Sequence, residues 1–295
     1  DFEGLIRAFR QFEWILLPVV LGLTLGNQLL RFLKWEYLLG RVQVDLPLST
    51  SFLIFGSGLI MIMTPGKLGE VWKSWLVRDE QDTPISTTMP VIATERITDL
   101  LGVVLISLLG VIAFGRSPVV LVVLLLPISG GIVILQYERV CYWILNRVEQ
   151  IPVVGRKADS IRDLYDNSRT LLRPRPLGIT TGLSICSWGL ECVGFWIVLR
   201  GFDAEVSLVA AAFVFALASI LGAVSLLPGG LGVTEGSMTG LLLVFEVGRV
   251  QAASATLVIR AATLWFVAGL ALAVYGYYRR QQSVTIQEPP KETEP

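Results

Sequence analysis

Apolar residues form several long stretches of this chain, separated by short polar segments. The first stretch, Trp14 to Phe32, has the length of about 20 residues that a helix needs to cross a bilayer. Comparable stretches cover residues 86–114, 119–135, 177–199 and 250–278. Stretches of this length and apolarity predict membrane-spanning helices, so we expect an all-α fold, a polytopic membrane helical bundle.

A short apolar stretch, residues 49–63, ends at a proline-glycine break with the sequence PGKLG, residues 65–69. As a helix it would measure about 22 Å, whereas the hydrocarbon core is about 30 Å thick. Residues 68–78 then carry the charged and apolar pattern of a short amphipathic helix, too short and polar to cross alone. Together these segments predict a re-entrant hairpin, broken at Pro65.

A second break, PGGLG at residues 228–232, nearly repeats the first. Residues 206–227 lead into it and residues 233–247 lead out of it. The leading arm is long enough to span the bilayer, so a re-entrant hairpin is less clearly indicated here. Matched breaks at membrane depth are typical of transporters, where interrupted helices meet around a substrate.

Basic residues are concentrated in residues 137–175, for which the pattern predicts an interfacial helix and a polar helix. The positive-inside rule places this segment in the cytoplasm, together with the loop around Lys34 and Arg41 and the end at Arg279 and Arg280. Counting crossings from there, the first hairpin is entered from the cytoplasm and the second from outside. The C-terminus is therefore expected to be cytoplasmic, and the pattern is that of inverted-topology repeats.

The chain thus reads as a single membrane domain, residues 1–295. Repeat one covers about residues 14–114, and a linking span and cytoplasmic segment cover about residues 118–175. Repeat two covers about residues 177–278. Residues 281–295 have the composition of a disordered tail.

The recurrence extends beyond the breaks. Arg96 follows Pro65 by 31 positions, and Arg260 follows Pro228 by 32. Common origin of the two halves explains these matched offsets. The alternative is two unrelated helix kinks, which membrane helices tolerate when neighbours satisfy the freed backbone groups.

Charged residues inside spans cost at least about 2.5 kcal/mol each and usually face a cavity or a partner. Arg96 and Asp99 are spaced i,i+3 on one predicted helix face. Arg260 lies in an otherwise uncharged span. Its guanidinium suits a phosphate or carboxylate contact, but an ion pair with Glu235 or Glu191 that only stabilises the bundle is the alternative.

Each break frees backbone N–H groups at the start of the next helix, where the helix dipole favours an anion. Glycines at these breaks allow a head group to approach closely; they are Gly66, Gly69, Gly229, Gly230 and Gly232. Glu70 and Glu235 follow the breaks. They are suited to carry protons or bind a cationic group, and equally to serve as helix-start acids of structural value only.

Composition narrows the function classes. The chain is 53% hydrophobic and 16% charged, with a mean hydropathy of +0.66 and a net charge of zero, which argues against a nucleic-acid partner. It has no histidine, which removes imidazole catalysis and imidazole metal sites. Its three cysteines lack metal or redox spacing. We therefore expect no metal, no cofactor and no enzymatic activity.

Four segments carry a resemblance to a known family: residues 31–39, TPGKLGEVWKSWLVR at 64–78, ERITDL at 95–100 and LPGGLGVTE at 227–235. They resemble the flippase-like membrane domain shared with lysylphosphatidylglycerol synthases, known also from archaeal glycosylation proteins of similar architecture. The resemblance covers nearly the whole chain. That family usually has one more N-terminal span, and the chain begins at Asp1 without a methionine, which is consistent with a segment upstream.

The resemblance implies an integral protein of the prokaryotic plasma membrane that moves lipids or lipid-linked head groups between leaflets. Aminoacyl transfer in the bifunctional synthases resides in a separate soluble domain, and residues 137–175 are too few for one. The family's recurrent positions fall on Pro65, Gly66, Gly69, Glu70, Arg96, Asp99, Pro228, Gly229, Gly230, Gly232 and Glu235. Arg260 is added from its charge.

The leading prediction is a lipid translocase for a phospholipid, an aminoacyl-phospholipid or a polyprenyl-linked lipid with an anionic or zwitterionic head group. Arg96 and Arg260 would hold the phosphate in a midplane cavity. A second hypothesis is a non-transporting lipid-binding scaffold that supplies a partner lipid-modifying enzyme. A third, an intramembrane lipid phosphatase or glycosyl transferase, is disfavoured because the chain has neither a histidine nucleophile nor a paired-carboxylate metal motif.

Overall fold

The computed structural model describes residues 2–64, 69–115, 119–148 and 158–287, and every regular element in these ranges is helical. This confirms the all-α prediction. The positions Pro65 and Gly66 of the first predicted break lie outside the described residues.

The first half of the chain forms five α-helices in the described residues. They are α1 (Phe2–Gln11), α2 (Leu17–Arg41), α3 (Leu48–Gly58), α4 (Trp72–Gln81) and α5 (Ile85–Ala113). A 3₁₀ helix, Leu59–Met63, extends α3 towards the break. The predicted short helix after the break corresponds to α4.

The middle of the chain forms α6 (Val119–Gln136), α7 (Glu138–Val148) and α8 (Ala158–Leu171). Helices α7 and α8 lie where the pattern predicted an interfacial and a polar helix. Glu138 on α7 and Arg169 on α8 form an ion pair with 2.5 Å between Oε1 and Nη1, which joins the two helices.

The second half forms α9 (Pro174–Gly201), α10 (Leu208–Val224), α11 (Val233–Val244), α12 (Arg249–Arg260) and α13 (Phe266–Gln287). Between α10 and α11 the residues Pro228–Gly230 form a short 3₁₀ turn. Between α12 and α13 the residues Ala261–Trp265 form a π-helical turn.

Four helical segments in the described residues are long and apolar enough to cross a membrane: Trp14–Arg41, Ile85–Ala113, Pro174–Gly201 and Arg249–Arg280. The chain is therefore an integral membrane protein by length and composition of its helices. The predicted span 119–135 corresponds to α6, Val119–Gln136. The predicted arm 206–227 is instead a shorter apolar helix, Leu208–Val224. The arm is shorter than predicted because α10 ends at Val224, four residues before Pro228.

The first span differs from its prediction in a way that matters for function. Helix α2 continues without interruption to Arg41, so Arg31 and Lys34 do not flank a loop. Both are buried, with relative exposures of 5% and 1%. The helix continues because neither proline nor glycine occurs between Phe32 and Leu39, and polar partners on other helices accept the two charges.

The C-terminal helix also extends further than predicted. Helix α13 extends to Gln287, beyond Tyr278, where the predicted last span ends. Residues 288–295 of the predicted tail lie outside the described residues.

The turns after α2 and α9 have the same backbone geometry. In the first, the N–H groups of residues 42 and 44 both donate to Leu39 O, at 3.0 and 3.1 Å, and Gln43 has φ of 59°. In the second, the N–H groups of residues 202 and 204 donate to Leu199 O, at 3.1 and 3.0 Å, and Asp203 has φ of 55°. The two corners lie 160 residues apart in the sequence.

Helices α2 and α9 form the most extensive helix pair in the described residues. Asn27 donates from Nδ2 to Ser187 O at 2.9 Å, and Lys34 donates from Nζ to Ser184 Oγ at 2.8 Å. The partner number falls as the number along α2 rises, so the two helices run antiparallel. Asn27 and Ser187 are themselves 160 positions apart, the same offset as the two corners.

Candidate functional site

A cavity of about 280 Å³ opens between α2, α5, α9, α10, the Pro228–Gly230 turn and the segment around Arg260. Both apolar and charged side chains line it, although most of the surrounding helices are apolar. Its charged lining residues are Arg31, Arg96, Asp99, Glu191 and Arg260. Charges at such a position are costly unless they are paired or serve a ligand.

Asp99 is the centre of the charge cluster on the α2 and α5 side. Its Oδ1 accepts from Lys34 Nζ at 2.5 Å and from Ser184 Oγ at 3.0 Å. Its Oδ2 lies 3.1 Å from Arg31 Nη2 and 3.4 Å from Arg96 Nη2. One buried carboxylate therefore joins three cations from two helices, which fixes α2, α5 and α9 against one another.

Helix α4 joins the same network through Glu70, which precedes it. Glu70 Oε2 lies 3.0 Å from Arg96 Nη2. Lys73 Nζ lies 2.6 Å from Glu95 Oε2 and 3.9 Å from Glu70 Oε2. Lys73 also lies over the Trp35 ring, 4.6 Å from its centroid, a favourable position for a desolvated ammonium group. The segment after the first break is thus attached to α5 by buried ion pairs.

Arg260 holds the second break in the same manner. Its Nε lies 2.6 Å from Glu235 Oε1, and its Nη2 donates to Gly229 O at 2.7 Å. The other carboxylate oxygen of Glu235 accepts from Gly232 N–H at 2.6 Å, so Glu235 also caps the first turn of α11. A single guanidinium fork therefore fixes both the turn and the helix that follows it.

The second turn depends on glycine at Gly230. Its φ is +67°, a conformation that side chains disfavour. A Cβ placed there would lie 3.2 Å from Gly222 Cα and 2.6 Å from Thr234 Oγ1. Gly230 thus permits the turn to pack directly on α10, and both glycines line the cavity.

The π-helical turn immediately follows Arg260. A π-turn shifts the register of the residues after it and often occurs at functional sites. Arg260, Thr263 and Leu264 all line the cavity. The π-helical turn therefore lies between Arg260, which forms the ion pair, and α13, and two of its residues form part of the cavity wall.

Comparison with known proteins identifies the family of this chain. The sequence matches the family described as the lysylphosphatidylglycerol synthase TM region over residues 1–271. The chain belongs to this family. The match extends through both glycine breaks and Arg260, so the whole site lies within the family's membrane region.

Relatives of this chain include archaeal membrane proteins. The chain is 29% identical over 292 residues to a UPF0104 membrane protein of Methanothermobacter thermautotrophicus, covering 90% of this chain and 84% of the relative. It is 25% identical over 182 residues to a UPF0104 membrane protein of Methanocaldococcus jannaschii, covering 61% of this chain and 77% of the relative.

The structure brings together most of the site residues that the sequence of this chain predicts. Arg96, Asp99, Gly229, Gly230 and Arg260 line the cavity. Glu70 forms an ion pair with Arg96, and Glu235 forms one with Arg260. Of the two readings left open for Arg260, the ion pair with Glu235 is present, and the side chain also reaches the cavity.

The remaining predicted residues have other positions. Gly69 donates its N–H to Thr64 Oγ1 at 3.0 Å and packs against that side chain. Gly232, with φ of +82°, precedes α11. Pro228 begins the 3₁₀ turn. Pro65 and Gly66 lie outside the described residues.

Sequence reasoning missed the contribution of α2 and α9 to the site. Gln28, Arg31 and Trp188 line the cavity, and Lys34 lies directly behind Asp99. A signal for three of them is present in the sequence, because residues 24, 27, 28, 31 and 34 form a polar stripe at helical spacing. Of these residues only Lys34 lies beyond the predicted end of the first span at Phe32.

Proposed function

We propose that this chain moves a membrane lipid between leaflets and holds the lipid head group in the cavity beside Arg96 and Arg260. The observation that carries the proposal is the position of these two arginines. They come from different halves of the chain, and both line one cavity inside a bundle of apolar helices. A lipid phosphate is the natural ligand of a guanidinium in such a place.

The paired glutamates support a release step. Arg96 is held by Glu70 and Arg260 by Glu235, at 3.0 and 2.6 Å. An arriving phosphate competes with each carboxylate for its arginine. A glutamate that loses its partner is then able to accept a proton or contact an amine on the lipid, which would couple head-group binding to movement of the glycine turns.

An inverted repeat would supply the alternating access that transport requires. Four observations support common ancestry of the halves. The corner after α2 recurs after α9, and α2 meets α9 antiparallel at Asn27 and Ser187. The pair Arg96–Glu70 corresponds to Arg260–Glu235, and each pair lies beside a glycine-rich break. In this proposal the second break lines the cavity directly, whereas the segment after the first break acts through the contact of Glu70 with Arg96.

We place the protein in the prokaryotic plasma membrane with a cytoplasmic C-terminus. The support is the concentration of basic residues in 137–175 and at Arg279 and Arg280, read with the positive-inside rule. The proposed activity is transport without covalent chemistry, and it needs no cofactor.

Reconstitution tests the transport proposal directly. Proteoliposomes would carry acyl-labelled fluorescent phospholipids, and dithionite would quench only the outer leaflet. Transport predicts that the purified chain raises the quenched fraction from about one half towards completion. If quenching in proteoliposomes stays at the level of protein-free vesicles for phospholipids and polyprenyl lipids alike, with and without ion gradients, the proposal fails.

A non-transporting scaffold that presents lipid to a separate enzyme is the second candidate. The specific observation in its favour is that Arg96 and Arg260 are already engaged by carboxylates, as expected for residues that hold the bundle together. The two functions separate with Arg260→Ala in the same vesicles. Retained lipid binding with no accelerated movement, in both wild type and variant, would favour the scaffold.

A further inference from the structure

Four side chains that line the cavity each contain a buried polar atom without a hydrogen-bond partner among the described residues. These atoms are Gln28 Oε1, Arg31 Nε, Arg96 Nε and Trp188 Nε1. A buried polar atom left unpaired destabilises the protein, because it has lost its hydrogen bonds to water. These four atoms beside one cavity are available to pair with a ligand that enters it.

The unpaired atoms are of two kinds. Arg31, Arg96 and Trp188 offer donors, which match the oxygens of a phosphate. Gln28 offers an acceptor, because its amide nitrogen already donates to Asn27 Oδ1 at 3.1 Å. The carboxylate of Glu191 also lines the cavity. The site thus provides hydrogen-bond donors for an anionic group and acceptors for a cationic group.

Formal charges around the cavity balance within the described part of the chain. Five basic and five acidic side chains either line the cavity or form ion pairs within the network that includes the lining residues. They are Arg31, Lys34, Lys73, Arg96 and Arg260, and Glu70, Glu95, Asp99, Glu191 and Glu235. Adding net charge to a balanced, poorly hydrated site is costly. The occupant that fits best therefore has no net charge.

Volume limits the occupant as well. Small-molecule sites usually enclose roughly 300–1,000 Å³, so a cavity of about 280 Å³ is small. It suits a head group of one phosphate and a short amine. Lipid-linked oligosaccharides are much larger than this space.

We propose that the cavity selects a compact zwitterionic phospholipid head group, a phosphodiester joined to a primary ammonium group. Arg31 and Trp188 donate to the phosphate oxygens together with Arg96 and Arg260. Gln28 Oε1 and the Glu191 carboxylate receive the ammonium group. This assignment rests on the proposed function in so far as it takes the cavity to be a head-group site, and it adds the chemical class of lipid.

Binding to the purified full chain in detergent tests the assignment. The probes are phosphatidylethanolamine and phosphatidylglycerol carrying the same acyl-chain fluorophore, and fluorescence anisotropy gives their Kd values. We expect the ethanolamine lipid to bind at least about tenfold more tightly, since both halves of its head group find partners. Equal affinity, or tighter binding of the anionic lipid, overturns the assignment.

Two substitutions locate the two halves of the subsite. Trp188→Phe keeps an aromatic ring but removes the donor, so it should weaken both lipids alike. Gln28→Leu should weaken only the ethanolamine lipid and remove the preference. Trp75→Phe is the matched control, because Trp75 is half exposed and does not line the cavity; its Kd values should equal those of wild type.

A conservative variant distinguishes a change in lipid selectivity from a folding defect. Gln28→Glu retains an acceptor and adds a negative charge, so it should strengthen the preference for the ammonium-bearing lipid several-fold. Unchanged selectivity in both Gln28 variants, in samples whose thermal unfolding matches wild type, contradicts the proposal.

The outcomes also separate head-group selection from transport. Selective binding of the ethanolamine lipid without any accelerated movement in vesicles would refute transport and leave the head-group assignment standing. Equal binding and equal movement of both lipids would refute the assignment and leave transport standing.

Discussion

Arg260 and Glu235 form a salt bridge of 2.6 Å beside the second glycine turn, 25 positions apart in sequence. Arg96 and Glu70 form the corresponding contact at 3.0 Å near the first break, 26 positions apart. In each case the glutamate follows a break, and the arginine lies in a long apolar segment and reaches the cavity. The same chemical solution therefore occurs in both halves of the chain.

Replacing Arg260 is the simplest test of the role of these arginine–glutamate pairs. Arg260→Ala removes the contacts to Glu235 and to the Gly229 carbonyl. Loss of charge-assisted contacts worth about 1.5–3 kcal/mol predicts a decrease in lipid movement of about 10- to 100-fold. Arg260→Lys should recover little, because an ammonium group cannot reproduce the bidentate fork. The rate of dithionite-accessible lipid movement in proteoliposomes measures both.

Arg249→Ala is the control for this prediction, since Arg249 is exposed at the other end of α12. It should leave transport unchanged. Wild-type rates in both Arg260 variants would mean that the guanidinium does not contact the lipid.

Asp99 should be essential for folding stability rather than only for transport. Asp99→Asn leaves Lys34, Arg31 and Arg96 without their shared carboxylate. Removing one partner from a buried charge cluster typically costs about 3–5 kcal/mol. We expect a strongly lowered Tm in detergent by tryptophan fluorescence.

Asp203→Asn makes the same chemical change at an exposed turn whose φ of +55° asparagine also tolerates. Its Tm should be close to that of wild type. An Asp99→Asn protein as stable as Asp203→Asn would contradict the stabilising role of the cluster.

The geometry of the second turn predicts that alanine substitutions at two nearby glycines have different effects on thermal stability. Gly230→Ala introduces a Cβ at φ of +67° and against Gly222, a strain of about 1–3 kcal/mol. Gly236→Ala lies in α11 with open space around its Cβ and should be neutral or slightly stabilising. Thermal unfolding of the two proteins side by side measures the difference, and equal Tm values would refute the strained packing of the turn.

Inverted repeats predict that the two equivalent corners face opposite sides of the membrane. Asp45→Cys and Glu205→Cys place thiols at exposed, equivalent positions 160 residues apart. In a background whose three native cysteines are replaced, an impermeant maleimide applied to intact cells should label position 205 only. Position 45 should react after permeabilisation. Labelling of both positions from the same side would exclude the inverted topology.

Much of the fold could be predicted from the hydrophobic pattern, because a bilayer requires long apolar helices and the breaks are marked by proline and glycine. The pairing of Arg96 with Asp99 followed from helical spacing, and it is present at 3.4 Å. The sequence offers both Glu235 and Glu191 as partners for Arg260, and spacing alone does not choose between them.

The role of α2 could not be predicted by counting apolar residues. Arg31 and Lys34 look like the charged end of a span, and only the tertiary contacts with Asp99 and Ser184 show which partners accept their charges. Similarly, Trp188 occurs in an apolar helix, and its place on the cavity wall depends on how α9 packs against α2 and α10. Long-range packing decides these positions, and local sequence does not record it.

Transport through the cavity is the central claim, and blocking the cavity tests it most directly. Ala223 lines the cavity, whereas Val224, the next residue, is exposed and does not. The measurement is the rate of transbilayer movement of acyl-labelled phospholipid in proteoliposomes containing wild type, Ala223→Trp or Val224→Trp. The account predicts accelerated movement for wild type and Val224→Trp and a rate near that of empty vesicles for Ala223→Trp. Equal rates for all three proteins would contradict it.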